Sequence, residues 1–407
     1  MKILFADALP DSYVDLLRQA GDECIVSPEL DADDIPDVIK GVDVLVVRST
    51  KVTAATIDRS DNLGLIVRAG AGTNTIDCNA AAGSGIYVCN VPGTNSVAVA
   101  ELTLGLLLAL DRQIPAAAND LRNGIWNKKD YSKADGLMGK TFGIIGVGEI
   151  GLAVAERVRS FGMAVIAERK AGRRPDIEAR IRSVGIRLVD DLDAILAESD
   201  IVSIHVPGGE RTVNLVDADF LGKMKPNSIL LNTSRGEVVD EQALLDAIES
   251  KGIRAGLDVF RDEPGSSVGE FASRLAAHPM VVGTHHIGAS TQQAQDATSA
   301  GAIDVIEAYR AGDPTNCVNV VRTRVGTSTI TIRHFDRVGV LAAALTVLRK
   351  ADINVQTMAN RVFEGSNAAM AIIDVSGEVT SEVTTQLAAL DNVIQIQIQI
   401  QTRGRDQ

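Results

Sequence analysis

Apolar residues in this chain fall in short blocks set between polar stretches. Residues 2–6, Val42 to Val47, Leu65 to Val67 and Ile86 to Cys89 are such blocks, each closed by a polar residue. Runs of this length predict strands buried on both faces. Val14 to Ala20 has the spacing of a short amphipathic helix. Val97 to Leu110 is apolar almost all round and predicts a buried helix. It is too short to span a bilayer and contains Glu101. A second series follows, with strands at Thr141 to Gly146, Ala164 to Ala167, Ile201 to His205, Ser228 to Asn232, Gly256 to Val259 and Met280 to Val282. Leu152 to Phe161 is the helix after the first of these. Strands alternating with helices predict α/β architecture with doubly wound parallel sheets. From about Ser328 the rhythm changes. Thr329 to Ile332, Ala368 to Val375 and Val393 to Gln401 read as strands, and Val338 to Lys350 and Ser381 to Leu390 as helices. That order is read as a β-α-β-β-α-β unit, which needs one strand more than the three marked here. The Ile-Gln alternation of its last strand, with one apolar and one polar face, predicts pairing with its own sheet or another subunit.

The 407 residues suggest two to three domains. A net charge of −13 disfavours nucleic acid, which calls for a basic face. A local arginine can still hold a small anion. The cysteines Cys24, Cys78, Cys89 and Cys317 are scattered without paired spacing, and they read as small buried side chains in a reducing cytoplasm. The opening Met-Lys-Ile-Leu-Phe-Ala-Asp reads as a first strand, and no segment predicts a membrane span. No histidine has metal-ligand spacing with Cys or Asp, so no metal is expected.

Parallel sheets bind ligands at the carboxyl ends of their strands. Arg48, Arg68 and Asn95 fall just past such ends. Gly146-Val147-Gly148-Glu149-Ile150-Gly151 follows a strand and opens a helix, the setting of a dinucleotide-binding turn in a Rossmann-like domain. The helix N-terminus, with the backbone of Glu149 and Ile150, would face the pyrophosphate. Glu168 ends the next strand, where a carboxylate binds the ribose of NAD. Arg169, Lys170, Arg173 and Arg174 follow, and an arginine there accommodates the phosphate of NADP. NAD and NADP therefore both stand as the expected cofactor. His205, Pro207, Thr233 and Asp258 are assigned to line it. Three further segments supply an arginine, a carboxylate and a histidine: Asn232 to Gly236 with Arg235, Asp258 to Pro264, and His285 to Thr291. These are the groups that exchange a hydride with a 2-hydroxy acid. Arginine clamps a carboxylate and histidine exchanges the hydroxyl proton. Asp258, Asp262 and Glu263 compete for the carboxylate role, and His285 and His286 for the histidine.

With these residues, the chain resembles the D-isomer-specific 2-hydroxyacid dehydrogenase family, and within it the phosphoglycerate dehydrogenases that carry a C-terminal ACT domain. The resemblance rests on Val47-Arg48-Ser49, Arg68-Ala69-Gly70-Ala71-Gly72, Asn95-Ser96, the glycine turn and the three segments above. It implies Arg235, Glu263 and His286 as the catalytic trio. His285 stands where the family commonly has proline. It implies Arg48 and Ser49 at a substrate phosphate, backbone N–H groups near Ala71 and Gly72 at the carboxylate, and Asn95 with Ser96 near substrate and nicotinamide. Glu149, where the family often has arginine or asparagine, would need to point away from the pyrophosphate. Lys128, Lys129 and Lys133 are further phosphate candidates. In the tail, the resemblance implies L-serine at His334, Asp336 and Asn354, and a homodimer or homotetramer. The expected domains are 1–97 with 289–320 for substrate, 98–288 for NAD(P), and 327–407 as the ferredoxin-like ACT domain. The implied reaction is NAD(P)-dependent oxidation of 3-phosphoglycerate to 3-phosphohydroxypyruvate. An NADPH-dependent glyoxylate or hydroxypyruvate reductase, and a dinucleotide-sensing regulator like the C-terminal-binding-protein corepressors, are the alternatives.

Overall fold

The four short blocks and one strand beside them are parallel: β1 (Lys2–Phe5), β2 (Glu23–Val26), β3 (Val44–Val47), β4 (Leu65–Arg68) and β5 (Tyr87–Asn90). Their order is β2-β1-β3-β4-β5. Successive side chains alternate between two cores. Ile3, Phe5, Val44, Val46, Leu65 and Val67 enter one. Leu4, Leu45, Val47, Ile66 and Val88 enter the other. A strand with helices on both faces is apolar along its covered length, which is why Ile3–Phe5 and Val44–Val47 carry no polar residue. Each such side chain contributes roughly 1.5–3 kcal/mol on burial.

A computed structural model describes residues 1–264, 268–321 and 326–400. Met1–Asn319 is one compact unit and Val320–Gln407 another. The first unit holds a second parallel sheet: β6 (Thr141–Ile145), β7 (Ala164–Glu168), β8 (Arg187–Val189), β9 (Ile201–Ile204), β10 (Ile229–Asn232), β11 (Arg254–Leu257) and β12 (Val281–Gly283). Its order is β12-β11-β10-β9-β6-β7-β8. The chain winds outward from β6 in one direction, then restarts at β9 on the other side. That reversal opens a crevice at the carboxyl ends of β6 and β9. In the first sheet the same reversal lies between β1 and β3. The helix Ser96–Asp111 is buried along much of its length, packed on the second sheet and the helix Glu149–Arg159. No described helix is long and apolar enough to cross a membrane. After β12, the helix Gln292–Arg310 returns to the first sheet, where Ala302, Val305 and Ile306 join its core.

The second unit contains β13 (Ser328–Phe335), β14 (Asn354–Val362), β15 (Ala368–Ser376) and β16 (Val393–Ile400), antiparallel in the order β14-β15-β13-β16, with helices Val340–Lys350 and Ser381–Ala388. This is the expected ferredoxin-like βαββαβ topology. The Ile-Gln strand pairs with β13 of its own sheet. Gln401, its expected last residue, lies outside the described residues. Val338 is not helical, because Gly339 at φ +91° caps the helix that starts at Val340. β2, β8 and β14 escape the pattern reading. The first two are sheet edges with polar ends, and β14 is exposed along most of its length.

Candidate active site

The glycine turn follows β6 directly. Gly146 has φ +101°, and a Cβ there would meet the His205 carbonyl oxygen at 2.4 Å, so no larger residue fits. A Cβ on Gly151 would meet the Gly146 oxygen at 2.3 Å, which is the close packing of helix on strand. Gly148 has open space at its Cβ position. The amino end of the helix Glu149–Arg159 therefore stays clear for a phosphate. Glu149 turns to Arg180 at 2.6 Å, the outward direction its charge requires. Glu168 ends β7 and pairs with Lys170 at 3.2 Å, and its carbonyl accepts from Arg173. Arg169 is exposed beside Asp190, at 4.0 Å. His205 follows β9. Its Nε2 meets Ser203 Oγ at 2.8 Å, while its buried Nδ1 has no partner among the described residues. Burial lowers its pKa to about 4, so it is neutral at physiological pH. An open phosphate cradle and an unmatched buried nitrogen fit a dinucleotide.

One cleft of about 700 Å³ gathers Ala71, Gly72, Asn95, Ile150, His205, Pro207, Thr233, Arg235, Asp258 and His286. Arg235 follows β10. Beside it, a Cβ on Gly236 would lie 1.9 Å from the Phe260 carbonyl oxygen, so only glycine lets this segment press against the segment that carries Glu263. The Arg235 guanidinium reaches over the turn at Gly72, where a Cβ would stand 2.8 Å from Nη2. Asn90 Nδ2 donates to the Ala71 carbonyl at 2.5 Å and holds that turn. Thr233 Oγ1 meets Thr103 Oγ1 at 2.9 Å.

His286 takes the left-handed region at φ +54°. Asp258 holds it there. Its backbone carbonyl accepts the His286 amide at 2.7 Å. Its carboxylate accepts the Ile287 and Gly288 amides, each at 2.8 Å, and the Thr284 hydroxyl at 2.6 Å. Asp258, assigned above to the cofactor, is thus a buried lock on the histidine loop. His286 Nδ1 meets Glu263 Oε2 at 2.7 Å, and Glu263 Oε1 accepts the Phe260 amide at 2.8 Å. Of the competing groups, the structure brings together Glu263 and His286. Asp262 is exposed, and His285 is not among the residues lining the cleft; it borders a neighbouring hollow that Glu263 and His286 also line. The Glu263 hydrogen bond raises the His286 pKa above its ordinary 6.5, against the pull of burial. Burial pushes the Glu263 carboxyl up, but His286, the Phe260 amide and Arg235 together hold it below its usual value.

A smaller hollow of about 190 Å³ shares Asn95, His286 and Ala289 with the cleft and adds Arg48, Ser49 and Arg68. Asp7, just past β1, accepts the amides of Arg48, Ser49 and Thr50 at 2.7, 3.1 and 3.1 Å, and the Ser49 hydroxyl at 2.7 Å. Burial raises its pKa, but these four donors hold it below the usual value. The fixed turn aims Arg48 at the hollow. Arg68 is half-buried, and its Nε has no partner among the described residues. Desolvation, Arg235 and Arg48 all lower its pKa. Arg68 and Asp7 lacked an assigned role in the sequence reading, although an acid after β1 and an arginine after β4 both sit at strand ends. Lys128, Lys129 and Lys133 are exposed and are not among the residues lining the cleft. Ser96 Oγ is buried without a partner among the described residues.

In the second unit, His334 is buried. Its Nδ1 meets the Phe335 carbonyl at 2.8 Å and its Nε2 meets Asn360 Oδ1 at 3.2 Å. Asp336 follows it, with its amide on the Asn367 carbonyl at 3.1 Å. Asn354 is elsewhere. On the shared neighbour β15, His334 pairs with Ala369 and Asn354 with Ser376. At about 3.3 Å per residue these two lie at opposite ends of the sheet, so one chain does not bring the three residues together.

The model of a family described as D-isomer specific 2-hydroxyacid dehydrogenase, NAD binding domain, matches residues 104–288. A D-3-phosphoglycerate dehydrogenase of Methanocaldococcus jannaschii is 39% identical over 324 residues, 79% of this chain and 60% of that protein. The chain thus spans less than two thirds of that relative's length. A hydroxypyruvate reductase of Thermotoga maritima is 42% identical over 291 residues, 71% of this chain and 92% of that protein. Among solved structures, an NADPH-dependent glyoxylate/hydroxypyruvate reductase from Sinorhizobium meliloti, in complex with NADP and malonate, is 28% identical with a TM-score of 0.66. That match covers 78% of this chain and 96% of the other.

Proposed function

The chain belongs to the D-isomer-specific 2-hydroxyacid dehydrogenase family, and from that premise we propose that it interconverts 3-phosphoglycerate and 3-phosphohydroxypyruvate. The observation that carries this reading is that Arg235 lines the cleft while Arg48 and Arg68 line the hollow that adjoins it at His286, with Arg68 under the field of the other two. Like charges this close lower each other's stability until anions neutralise them. A substrate with a carboxylate at one end and a phosphate at the other supplies both anions. Arg235 and the turn at Ala71 and Gly72 would clamp the carboxylate. Arg48 and Arg68 would hold the phosphate, with Ser49 and Asp7 fixing the turn. When bound, the dinucleotide supplies the hydride acceptor. Gly148 and the helix end would hold its pyrophosphate, and Asn95 with Ser96 would border its ring. His286 then takes the hydroxyl proton at Nε2, because Nδ1 is committed to Glu263. Glu263 keeps the imidazole in one orientation and stabilises the charge it gains.

Glu168 beside Lys170 supports NAD, and the exposed Arg169 gives a route to NADP. A second reading, an NADPH-dependent hydroxypyruvate or glyoxylate reductase, draws on that arginine and on the Thermotoga relative. It leaves Arg48 and Arg68 without an anion. For the C-terminal unit we infer a serine-binding role as an ACT domain in a homo-oligomer. The separation of Asn354 from His334 within one chain suits a site completed by a second copy. The test is a panel of steady-state rates for 3-phosphohydroxypyruvate, hydroxypyruvate and glyoxylate with NADH and NADPH. The phosphorylated acid is expected to give the highest kcat/KM. Equal or higher kcat/KM for hydroxypyruvate would overturn the assignment.

A further inference from the structure

We propose that Cys89 and Cys317 are a peroxide-responsive dithiol, closing to a disulfide that fastens residues 314–319 to the edge strand of the first sheet. The two cysteines are 228 residues apart and face each other across an isolated antiparallel bridge. The Val318 amide donates to the Val88 carbonyl at 2.8 Å, and the Asn90 amide to the Asn316 carbonyl at 3.3 Å. These bonds flank the cysteines, which therefore form the non-hydrogen-bonded kind of pair, with Cα atoms ~4.5 Å apart. That spacing lies inside the range a disulfide spans. The register is fixed independently by Asn319. Its Oδ1 accepts from the Val88 amide at 2.9 Å, and its Nδ2 donates to the Ile86 carbonyl at 2.7 Å. Both side chains point into the same core, where the sulfurs are in contact at 3.0 Å. The sequence alone shows only scattered cysteines, because a cross-sheet pair has no spacing to read.

Cys317 as a residue keeps 8% exposure while Cys89 is fully buried, and the first oxidation is therefore assigned to Cys317. Its thiolate attacks one oxygen of hydrogen peroxide. The O–O bond breaks, giving a sulfenic acid and one water. The Cys89 sulfur then attacks the Cys317 sulfur, the S–O bond breaks, and a second water leaves. Two thiols have lost two protons and two electrons, and one peroxide has become two waters. Asn90, the next residue after Cys89, holds the Ala71 turn of the cleft. The bond would thus form one residue from the substrate site. Cys24 and Cys78 are partly exposed with no such partner, and serve as internal controls.

The full chain, treated with hydrogen peroxide, alkylated and digested without reductant, tests this by mass spectrometry. The expected product is a peptide containing Cys89 linked to one containing Cys317. A Cys24→Ser/Cys78→Ser variant should lose both remaining thiols, counted after denaturation, and regain them with reductant. Cys317→Ser in that background should keep its one thiol unlinked. Full retention of both thiols in the first variant, separate sulfinic acids on Cys89 and Cys317, or links only to Cys24 or Cys78 would each overturn the proposal.

Discussion

The Glu263–His286 pair forms one wall of the site, and Arg48 and Arg68 in the adjoining hollow form another, with Arg235 acting on both. Glu263 has both oxygens engaged, by His286 Nδ1 and the Phe260 amide, which leaves His286 Nε2 for substrate, on a loop that the Asp258 carboxylate holds by accepting three hydrogen bonds. Among the described residues Arg48 and Arg68 form no ion pair and Arg68 Nε has no partner, while Arg235 acts on Glu263 as well as on Arg68. The first arrangement is complete without substrate and suits moving a proton. The second is incomplete without anions and suits binding them. The same cleft therefore separates chemistry from recognition by how fully its charges are satisfied.

The sharpest way to break that division is His286→Asn. The asparagine can keep a contact to Glu263 but cannot take a proton near neutrality. We expect kcat to fall by about 10²–10⁴-fold. Cofactor affinity, read by fluorescence titration, should stay near that of the parent chain. Strong residual turnover would move the proton-transfer role elsewhere. The pH profile sharpens the same wall. Oxidation of the hydroxy acid needs neutral His286, and reduction of the keto acid needs its cation. Because Glu263 raises the His286 pKa, oxidative kcat/KM should rise with pH through a midpoint above 6.5, and reductive kcat/KM should fall there. Each limb should change up to about tenfold per pH unit. Glu263→Gln should move that midpoint downward. A midpoint unchanged by this substitution would contradict the pairing.

Much of this division is legible from residues alone. Unbroken apolar blocks with polar closures locate the strand ends, and Arg48, Arg235 and Gly146 all stand just past them. The choice of His286 and Glu263 over His285, Asp258 and Asp262 comes from the family resemblance, because the residues alone leave them in competition. What sequence does not carry is coupling between remote backbone groups. Asp258 looks like one of three interchangeable acids until its bonds to Thr284, Ile287 and Gly288 appear. Asp7 has no motif, because three of its four donors are backbone amides at positions 48–50, which any residue but proline would offer. β14 is missed for a different reason: its side chains are largely exposed, so no apolar period marks it. Asn354 reads as a partner of His334 from the family pattern, and only the antiparallel register moves it to the far end of the sheet.

Arg68→Met tests the arginine wall most directly. It keeps an unbranched stem as far as the Nε position and removes the guanidinium, so the fold and the His286 pair should persist. The measurement is kcat/KM for 3-phosphohydroxypyruvate and for hydroxypyruvate, compared between variant and parent. A charge-assisted hydrogen bond contributes about 1.5–3 kcal/mol, so the phosphorylated substrate should lose roughly tenfold or more. Hydroxypyruvate should change little. Equal losses for the two substrates would mean that Arg68 does not read the phosphate, and the account of the second wall would fail.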